Sequence, residues 1–470
     1  MTGFDFGAIS PLDHRYRVSN PDLFEKLSTY LSEDATVRYQ AKVEAALARG
    51  LAQRGICTHE QAEQIARAAE QVTAAEVYEE ERITRHNIRA LVNVIQRRVS
   101  EDARPYVHLT ATSVDVMDTA RALQFRDATR EVVLPSLIEL WQTWEMIARR
   151  EADTLQIGRT HGQHAVPITF GFAMAEYVAR LGGRIEVVHA AAKNLRGKMA
   201  GAVGAYNAST LLFEDAEAFE KEVLGYLGLE PGSHATQIVE PEYMTDFLHA
   251  LVSTFGVLAN FADDIRHLQR TEIGEVGEAF EEGQVGSSTM PHKRNPWNFE
   301  HVKSLWKVFV PRMMTQYMDQ LSEHQRDLTN SASGRFTVEI LYGLTIASER
   351  LNKVCRKLVV DHERMRANLL ATKDMVVAEP LYILLAHAGH PNAHEAVRLL
   401  TLEAEKRGVG LPEVVAENAE LQPWLEKLDE RQRRFVTDPL TYTGAASRKA
   451  RAVCDEWTER IERVRTDLQA

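Results

Sequence analysis

Apolar positions recur along this chain at helical spacing, and they do so over long stretches. From Thr245 to Arg270, the residues Leu248, Leu251, Val252, Phe255, Leu258, Phe261, Ile265 and Leu268 follow one another at steps of one, three and four. That spacing lines one broad face of a helix of about seven turns. The fifteen prolines are bunched, with none from Asp22 to Arg104, Ile168 to Glu230, Glu242 to Met290, or Arg312 to Glu379. These stretches are rich in Ala, Leu, Glu and Arg, and predict helices several turns longer than the globular average. Strand-like alternation is scarce. The predicted fold is all-α, a bundle whose apolar stripes need neighbours to cover them, extended by association of subunits, with at most minor hairpins. The last hundred residues, from about Arg366, are more polar and predict a small helical domain.

Three segments interrupt the helical pattern with small, hydroxylated and glycine residues: His108 to Ser113, Gly158 to His164, and Glu282 to Pro296. Function is carried disproportionately on such connections, held by rigid elements. In the third, Gly283 and Gly286 loosen the backbone before Ser287 and Ser288, while Pro291 and Pro296 restrict it afterwards. Lys293 follows Ser287 closely enough to place a cation beside its hydroxyl, which needs such help to act as a base. A glycine-rich turn opening a helix near Asn298 is the plainer reading. His161, flanked by Thr160 and Gly162, has the chemistry of a general acid or base. Its spacing from His164 suits metal ligands, but no Cys or carboxylate cluster accompanies the pair, so no metal is expected.

Thr112 and Ser113 can offer hydroxyls and N–H groups to an anion if a helix starts at Val114; alternatively Ser113 is an ordinary N-cap, with Asp115 and Asp118 complementing the first turn. Arg326, Ser331 and Arg335 have helical or near-helical spacing and can hold a phosphate, although singly the arginines read as surface ion pairs.

Composition narrows the classes. At 470 residues the chain buries ample core without disulfides or structural metal, and its three cysteines are far apart. A net charge of −12 argues against a general nucleic-acid or anionic-membrane binder. The N-terminus carries Asp5 and no apolar run, and the apolar stretch Leu381 to Ala386 is far short of a membrane span, so a cytosolic protein is expected. Dinucleotide-binding, Walker A, serine-hydrolase and zinc-protease motifs are absent.

The string Gly286-Ser-Ser-Thr-Met-Pro-His-Lys-Arg-Asn-Pro296 resembles the signature of the fumarase/aspartase superfamily of lyases. Within it, Ser10 to Tyr16, Thr84 to Asn87, Gly158 to Ala165, Ala235 to Ile238 and the Arg326/Ser331/Arg335 element resemble the adenylosuccinate lyase family, so the likeness spans essentially the whole chain. It implies a three-domain fold (residues 1–111, 112–366 and 367–470) with a long central helical bundle forming the core of a homotetramer. Each active site would be shared by three subunits, so catalytic residues can lie tens of ångströms apart within one chain.

The implied reactions are β-eliminations of fumarate from adenylosuccinate, giving AMP, and from the succinyl-carboxamide ribotide SAICAR, giving AICAR, in purine synthesis, with no cofactor. By the same resemblance Ser287 removes the Cβ proton. Lys293, Asn295 and backbone donors stabilise the aci-carboxylate, and His161 protonates the leaving nitrogen with His86 assisting. Thr112 and Ser113 hold a carboxylate, and Gln237 lies near the breaking bond. Arg15, Tyr16, Arg326, Ser331 and Arg335 take the phosphate. Arg85, Asn87, Ser288, Met290 and His301 complete the implied substrate contacts.

Four departures stand out: Asn87 where aspartate often follows the histidine, Thr110 where glycine or alanine is usual, Val166 for a frequent glutamate, and His301 where arginine or asparagine is common. Asn87 bears on the protonation of His86, and His301 on phosphate contacts. The competing readings are a sister enzyme, resembling argininosuccinate lyase or carboxymuconate cycloisomerase, and a non-catalytic scaffold.

Overall fold

The computed structural model describes residues 7–280, 289–290 and 292–469. The chain opens with α1 (Pro21–Leu31), α2 (Glu33–Gln53), α3 (His59–Glu70), α4 (Ala74–Thr84) and α5 (Asn87–Gln96). The first proline-free stretch is therefore several helices, of which α2, at 21 residues, is long and the others are of ordinary length. Hydroxyl N-caps break it: Ser32 accepts from the Ala35 N–H, while Thr58 and Thr73 form capping boxes with Gln61 and Glu76. Such caps start a helix without any proline.

The middle of the chain supplies most of the long helices together with shorter ones: α6 (Ser113–Ala128), α7 (Leu134–Arg150), α8 (Phe170–Lys193), α9 (Ala216–Gly225), α10 (Pro241–Leu268), α11 (Trp297–Phe309), α12 (Arg312–Asp319) and α13 (Val338–Cys355). The 28 residues of α10 span about 42 Å at ~1.5 Å per residue. Its Leu248, Leu251, Phe255, Leu258, Phe261 and Ile265 are buried, as the stripe predicts. It packs against α8, α11 and α13, and α7 packs against α8 and α13. Phe261 joins three of these helices, 4.1 Å from Trp144 of α7 and 5.1 Å from Tyr177 of α8 between ring centroids.

The expected helical spacing of Arg326, Ser331 and Arg335 is not realised. After α12 the chain runs through turns to a short 3-10 helix, Ser333–Phe336, before α13 begins. Side chains there take up backbone and neighbouring groups that a helix would need free. The Asp327 carboxylate accepts from the Thr329 N–H at 3.0 Å and its hydroxyl at 2.7 Å.

The region after α13 has α14 (His362–Leu370), α15 (Ala378–His387), α16 (Ala393–Arg407), α17 (Leu411–Glu417) and α18 (Glu430–Thr437). Leu381, Leu385, Val397, Leu400, Leu411 and Val415 form an apolar cluster of their own. The last helix, α19 (Ala446–Gln469), returns to the bundle and packs on α8. Trp457 lies so close to Gly182 that a Cβ there would stand 2.4 Å from its ring. No helix among the described residues is long and apolar enough to cross a membrane.

Because α19 docks through this close approach, Gly182→Ala is expected to cost about 1–3 kcal/mol by overpacking. A thermal melt should fall by several degrees, whereas Gly183→Ala, whose Cβ would meet Trp457 at an ordinary 3.6 Å, should have a much smaller effect.

Candidate active site

His161 sits at the tip of a β-hairpin, β1 (Leu155–Thr160) and β2 (Gln163–Thr169), in a protein built mainly of helices. Thr160 pairs with Gln163, leaving His161 and Gly162 as the two loop residues, with φ of 55° and 73°. Positive φ at both positions is what a type I′ turn requires, and it matches the twist of the flanking strands. Gly158 marks an irregularity in the pairing, and a Cβ there would meet the Val166 carbonyl at 2.7 Å. The histidine is exposed at this tip. Below it, His164 Nδ1 lies 2.9 Å from Thr372 Oγ1, and burial with the Arg159 charge holds its pKa below the usual value.

The hairpin is anchored through the buried Glu275. Its carboxylate accepts from Arg159 at 2.5 and 3.1 Å, from Gln156 at 2.8 Å and from Asn368 at 2.9 Å. Glu275 also opens the segment that leads towards the serine string. Glu278, three residues on, accepts from the Asn298 N–H at 2.8 Å and its side chain at 2.6 Å, capping α11 from a distance. Gln269 donates to the Arg294 carbonyl at 3.3 Å, and the Arg294 guanidinium lies 5.3 Å from the Phe280 ring centre. The two ends of this connection are thereby pinned together. Lys293 is exposed, its N–H donating to the Met290 carbonyl at 3.0 Å, and Asn295 follows. Ser287 and Ser288, with Gly283, Gly286 and Pro291, lie outside the described residues.

Thr84 to Asn87 and Thr112 to Ser113 meet across two helix starts. Arg85 takes a left-handed conformation (φ 51°) as the C-cap of α4, and His86 is the N-cap of α5. His86 Nδ1 accepts from the Arg89 N–H at 3.2 Å, so the ring carries its proton on Nε2 and presents it to Ser113 Oγ at 3.4 Å. Asn87 turns away from that ring: its Oδ1 accepts from the Ile88 N–H at 2.8 Å, and its Nδ2 lies 3.8 Å from Met117 Sδ.

The N-cap of α6 is Thr112, with Ser113 the first helical residue, one position earlier than the expected start at Val114. Asp115 does far more than complement the helix end. It is buried in an ion pair with Lys198, and it also accepts the N–H groups of Thr112 at 2.8 Å, Ala200 at 3.1 Å and Gly201 at 3.2 Å. Just ahead, His108 and Thr110 have φ of 66° and 72°. A left-handed position of this kind suits glycine, which accounts for the unusual standing of Thr110. His108 Nδ1 is held 2.6 Å from the buried Glu44.

A cavity of about 540 Å³ opens between α6, the start of α10 and the 326–338 turns. Asn87, Arg326, Ser331 and Arg335 all line it. Gln237 is pinned beside it, its N–H donating to the Gln325 carbonyl at 3.3 Å. Arg15 and Tyr16 stand on a five-residue π-helical turn and gather with His301 elsewhere: Tyr16 Oη lies 3.2 Å from His301 Nε2. Burial, Arg350 and Arg15 together hold His301 below its usual pKa. A single chain thus presents three separate groupings, the cavity, the Tyr16–His301 pair and the hairpin tip. Sequence reasoning missed Lys198, Glu275 and Glu278, none of which has a local pattern that would single it out.

A long-helix bundle with a hydroxyl-bearing helix start and an exposed histidine on a hairpin agrees with the class the sequence points to, a lyase of the fumarase/aspartase type. Residues 14–308 match the family described as Lyase, and residues 322–437 match the one described as Adenylosuccinate lyase C-terminal. The chain belongs to the adenylosuccinate lyase family. It is 36% identical to adenylosuccinate lyase of Pyrococcus horikoshii, over 97% of this chain and 99% of that one, and 35% identical to that of Methanothermobacter thermautotrophicus, over 96% and 99%. Among solved structures it is similar to the 3-carboxy-cis,cis-muconate lactonizing enzyme of Pseudomonas putida, with a TM-score of 0.79 and 27% identity, covering 94% of this chain and 97% of that one.

The Glu44–His108 contact makes a directional prediction. Burial works against the imidazolium, but the Glu44 charge and hydrogen bond outweigh it and raise the His108 pKa. A raised histidine pKa contributes stability that is full below the unfolded value of about 6.5 and is lost as pH rises through the folded value. The melting difference between the unaltered protein and Glu44→Gln should therefore be largest near pH 6 and shrink towards pH 9. A difference that grows with pH would contradict the pairing.

Proposed function

We propose that this protein eliminates fumarate from adenylosuccinate, releasing AMP, and from SAICAR, releasing AICAR. The observation that carries this reading is that Asn87 meets Arg326, Ser331 and Arg335, three neighbours from a segment far along the sequence, on one cavity. Two guanidiniums and a hydroxyl are suited to a phosphate, which a carboxymuconate substrate lacks.

In the proposed mechanism Ser287, as alkoxide beside Lys293, takes the proton from Cβ of the succinyl group. The electron pair moves into the neighbouring carboxylate, giving an aci-carboxylate that Lys293, Asn295 and backbone donors stabilise. The pair then returns to form the fumarate double bond as the C–N bond breaks. His161 delivers a proton to the departing nitrogen. His86, its Nε2–H facing Ser113, steadies the hydroxyls of Thr112 and Ser113 against a succinyl carboxylate. Gln237 stands near the breaking bond. Arg15, Tyr16 and His301 contact the ribose phosphate from a neighbouring subunit, with Arg85, Ser288 and Met290 lining the remaining contacts.

The separate groupings within one chain support a homotetramer whose active sites each draw on three subunits. Exposed Val308, Met314, Met318 and Leu321, along and just beyond α11 and α12, are apolar surface available to such an assembly. A three-part division at residues 111 and 366 is proposed on the same footing, with α19 handed back from the third part to the bundle. The proposed reaction needs no cofactor, and a cytoplasmic enzyme is proposed with it.

An ultraviolet assay with adenylosuccinate should show AMP and fumarate appearing one to one, with SAICAR also cleaved and carboxymuconate untouched; turnover of carboxymuconate alone would replace this reading with the cycloisomerase one. Ser287→Ala and His161→Ala should each lower kcat at least about a hundredfold with an unchanged melting temperature, and near-normal kcat in either refutes its role. Arg335→Ala should raise KM for both nucleotides by about tenfold or more; an unchanged KM speaks against a phosphorylated substrate.

A further inference from the structure

One cation in the cavity wall has no part in the reading above. Arg121, on α6, has a single hydrogen bond among the described residues: its Nη1 donates to the Gly334 carbonyl at 2.8 Å. The guanidinium lies close against this turn, and a Cβ at Gly334 would stand 2.9 Å from that same Nη1. The guanidinium is therefore seated on the turn between Ser331 and Arg335, the two residues proposed to hold phosphate.

A guanidinium enclosed in a protein wall is expensive unless an anion answers it. Asp118, Glu33 and Asp319 act on Arg121 through their fields, but none forms an ion pair with it among the described residues. Each of the three is engaged elsewhere. Asp118 accepts from the Val239 N–H at 3.1 Å, Glu33 from the Tyr78 hydroxyl at 2.8 Å, and Asp319 from the Ser333 hydroxyl at 2.7 and 2.8 Å. Burial also raises the pKa of Asp118, which weakens its hold as a charge. Arg121 lines the cavity alongside Arg326, Ser331 and Arg335, and four of its five N–H donors have no partner among the described residues.

We propose that Arg121 is a further member of the phosphate subsite, fixed by one arm to the Gly334 carbonyl and turning the rest of its fork to the phosphate of the bound nucleotide. This rests on the proposed nucleotide reading of the cavity. Arg121 does two things there: it fixes the turn that carries Arg335, and it adds a third guanidinium. The hydrogen bonds it would give are charge-assisted and forked, so they discriminate a phosphate from a neutral hydroxyl.

The test compares AMP with adenosine, which lacks the phosphate, by titration calorimetry on the assembled protein. Arg121→Met should weaken AMP by about tenfold to a hundredfold while leaving adenosine unchanged. Arg121→Lys, which keeps the charge and tolerates the fold better, should weaken AMP by a smaller factor, again without affecting adenosine. Arg335→Ala is the control for the nucleotide reading itself. If Arg335→Ala loses AMP affinity and both Arg121 variants keep it, Arg121 is outside the subsite and the inference fails alone. If all three variants bind AMP normally, the phosphate reading of the cavity fails and takes Arg121 with it. Equal loss of AMP and adenosine in both Arg121 variants would mean a purely structural role and overturn the proposal.

Discussion

The buried pair of Asp115 and Lys198 is the constraint on which the candidate site depends. Both side chains are withdrawn from water, at 0% and 1% exposure. Removing one partner of such a pair leaves an unanswered charge in the interior, at a cost of about 3–5 kcal/mol. The pair is retained with its remaining valences filled: Asp115 also takes the N–H groups of Thr112, Ala200 and Gly201, and Lys198 donates to the Gly201 carbonyl. One carboxylate therefore fixes the start of α6 to a segment more than eighty residues away. The preceding loop can then hold His108 and Thr110 in left-handed conformations, each costing about 1–3 kcal/mol, because the surrounding bonds leave it no alternative.

The other two groupings are secured by the same device. Glu275 grips the hairpin beneath His161, and Glu278 grips the first turn of α11. Both carboxylates are buried and both flank the segment leading to the serine string. The side chains proposed to take part in the reaction are exposed: His161 at its tip, His86 at its helix start, Lys293 beyond its turn. Buried anions beneath and exposed side chains above is an arrangement suited to the proposed site, in which other subunits would each bring a preformed piece.

What was legible in the sequence follows from the range of the physics involved. The α10 stripe was readable because helical periodicity is local and its apolar face is buried almost as expected. His161 was singled out by its residue type and its neighbours, but its hairpin was not, since a two-residue turn with His at a left-handed position leaves little alternation to notice. The boundaries among α1 to α5 were signalled by Ser32, Thr58 and Thr73, which a count of prolines passes over. Arg326, Ser331 and Arg335 do line one cavity, yet on turns and a 3-10 helix, because Asp327 and Ser333 draw backbone and neighbouring groups into local bonds. Lys198 and Glu275 act across long sequence separations, and no periodicity or motif reports such a contact.

The account stands or falls on whether the histidine tip of one chain and the arginine-lined cavity of another address the same molecule. A structure of the assembled protein with AMP and fumarate bound measures this directly. The account predicts the AMP phosphate on Arg326, Ser331 and Arg335, with His161 of a neighbouring subunit within hydrogen-bond distance of the adenine amino nitrogen. Hairpin tips that face solvent or a separate cavity, with no ligand atom in reach of His161, would contradict it.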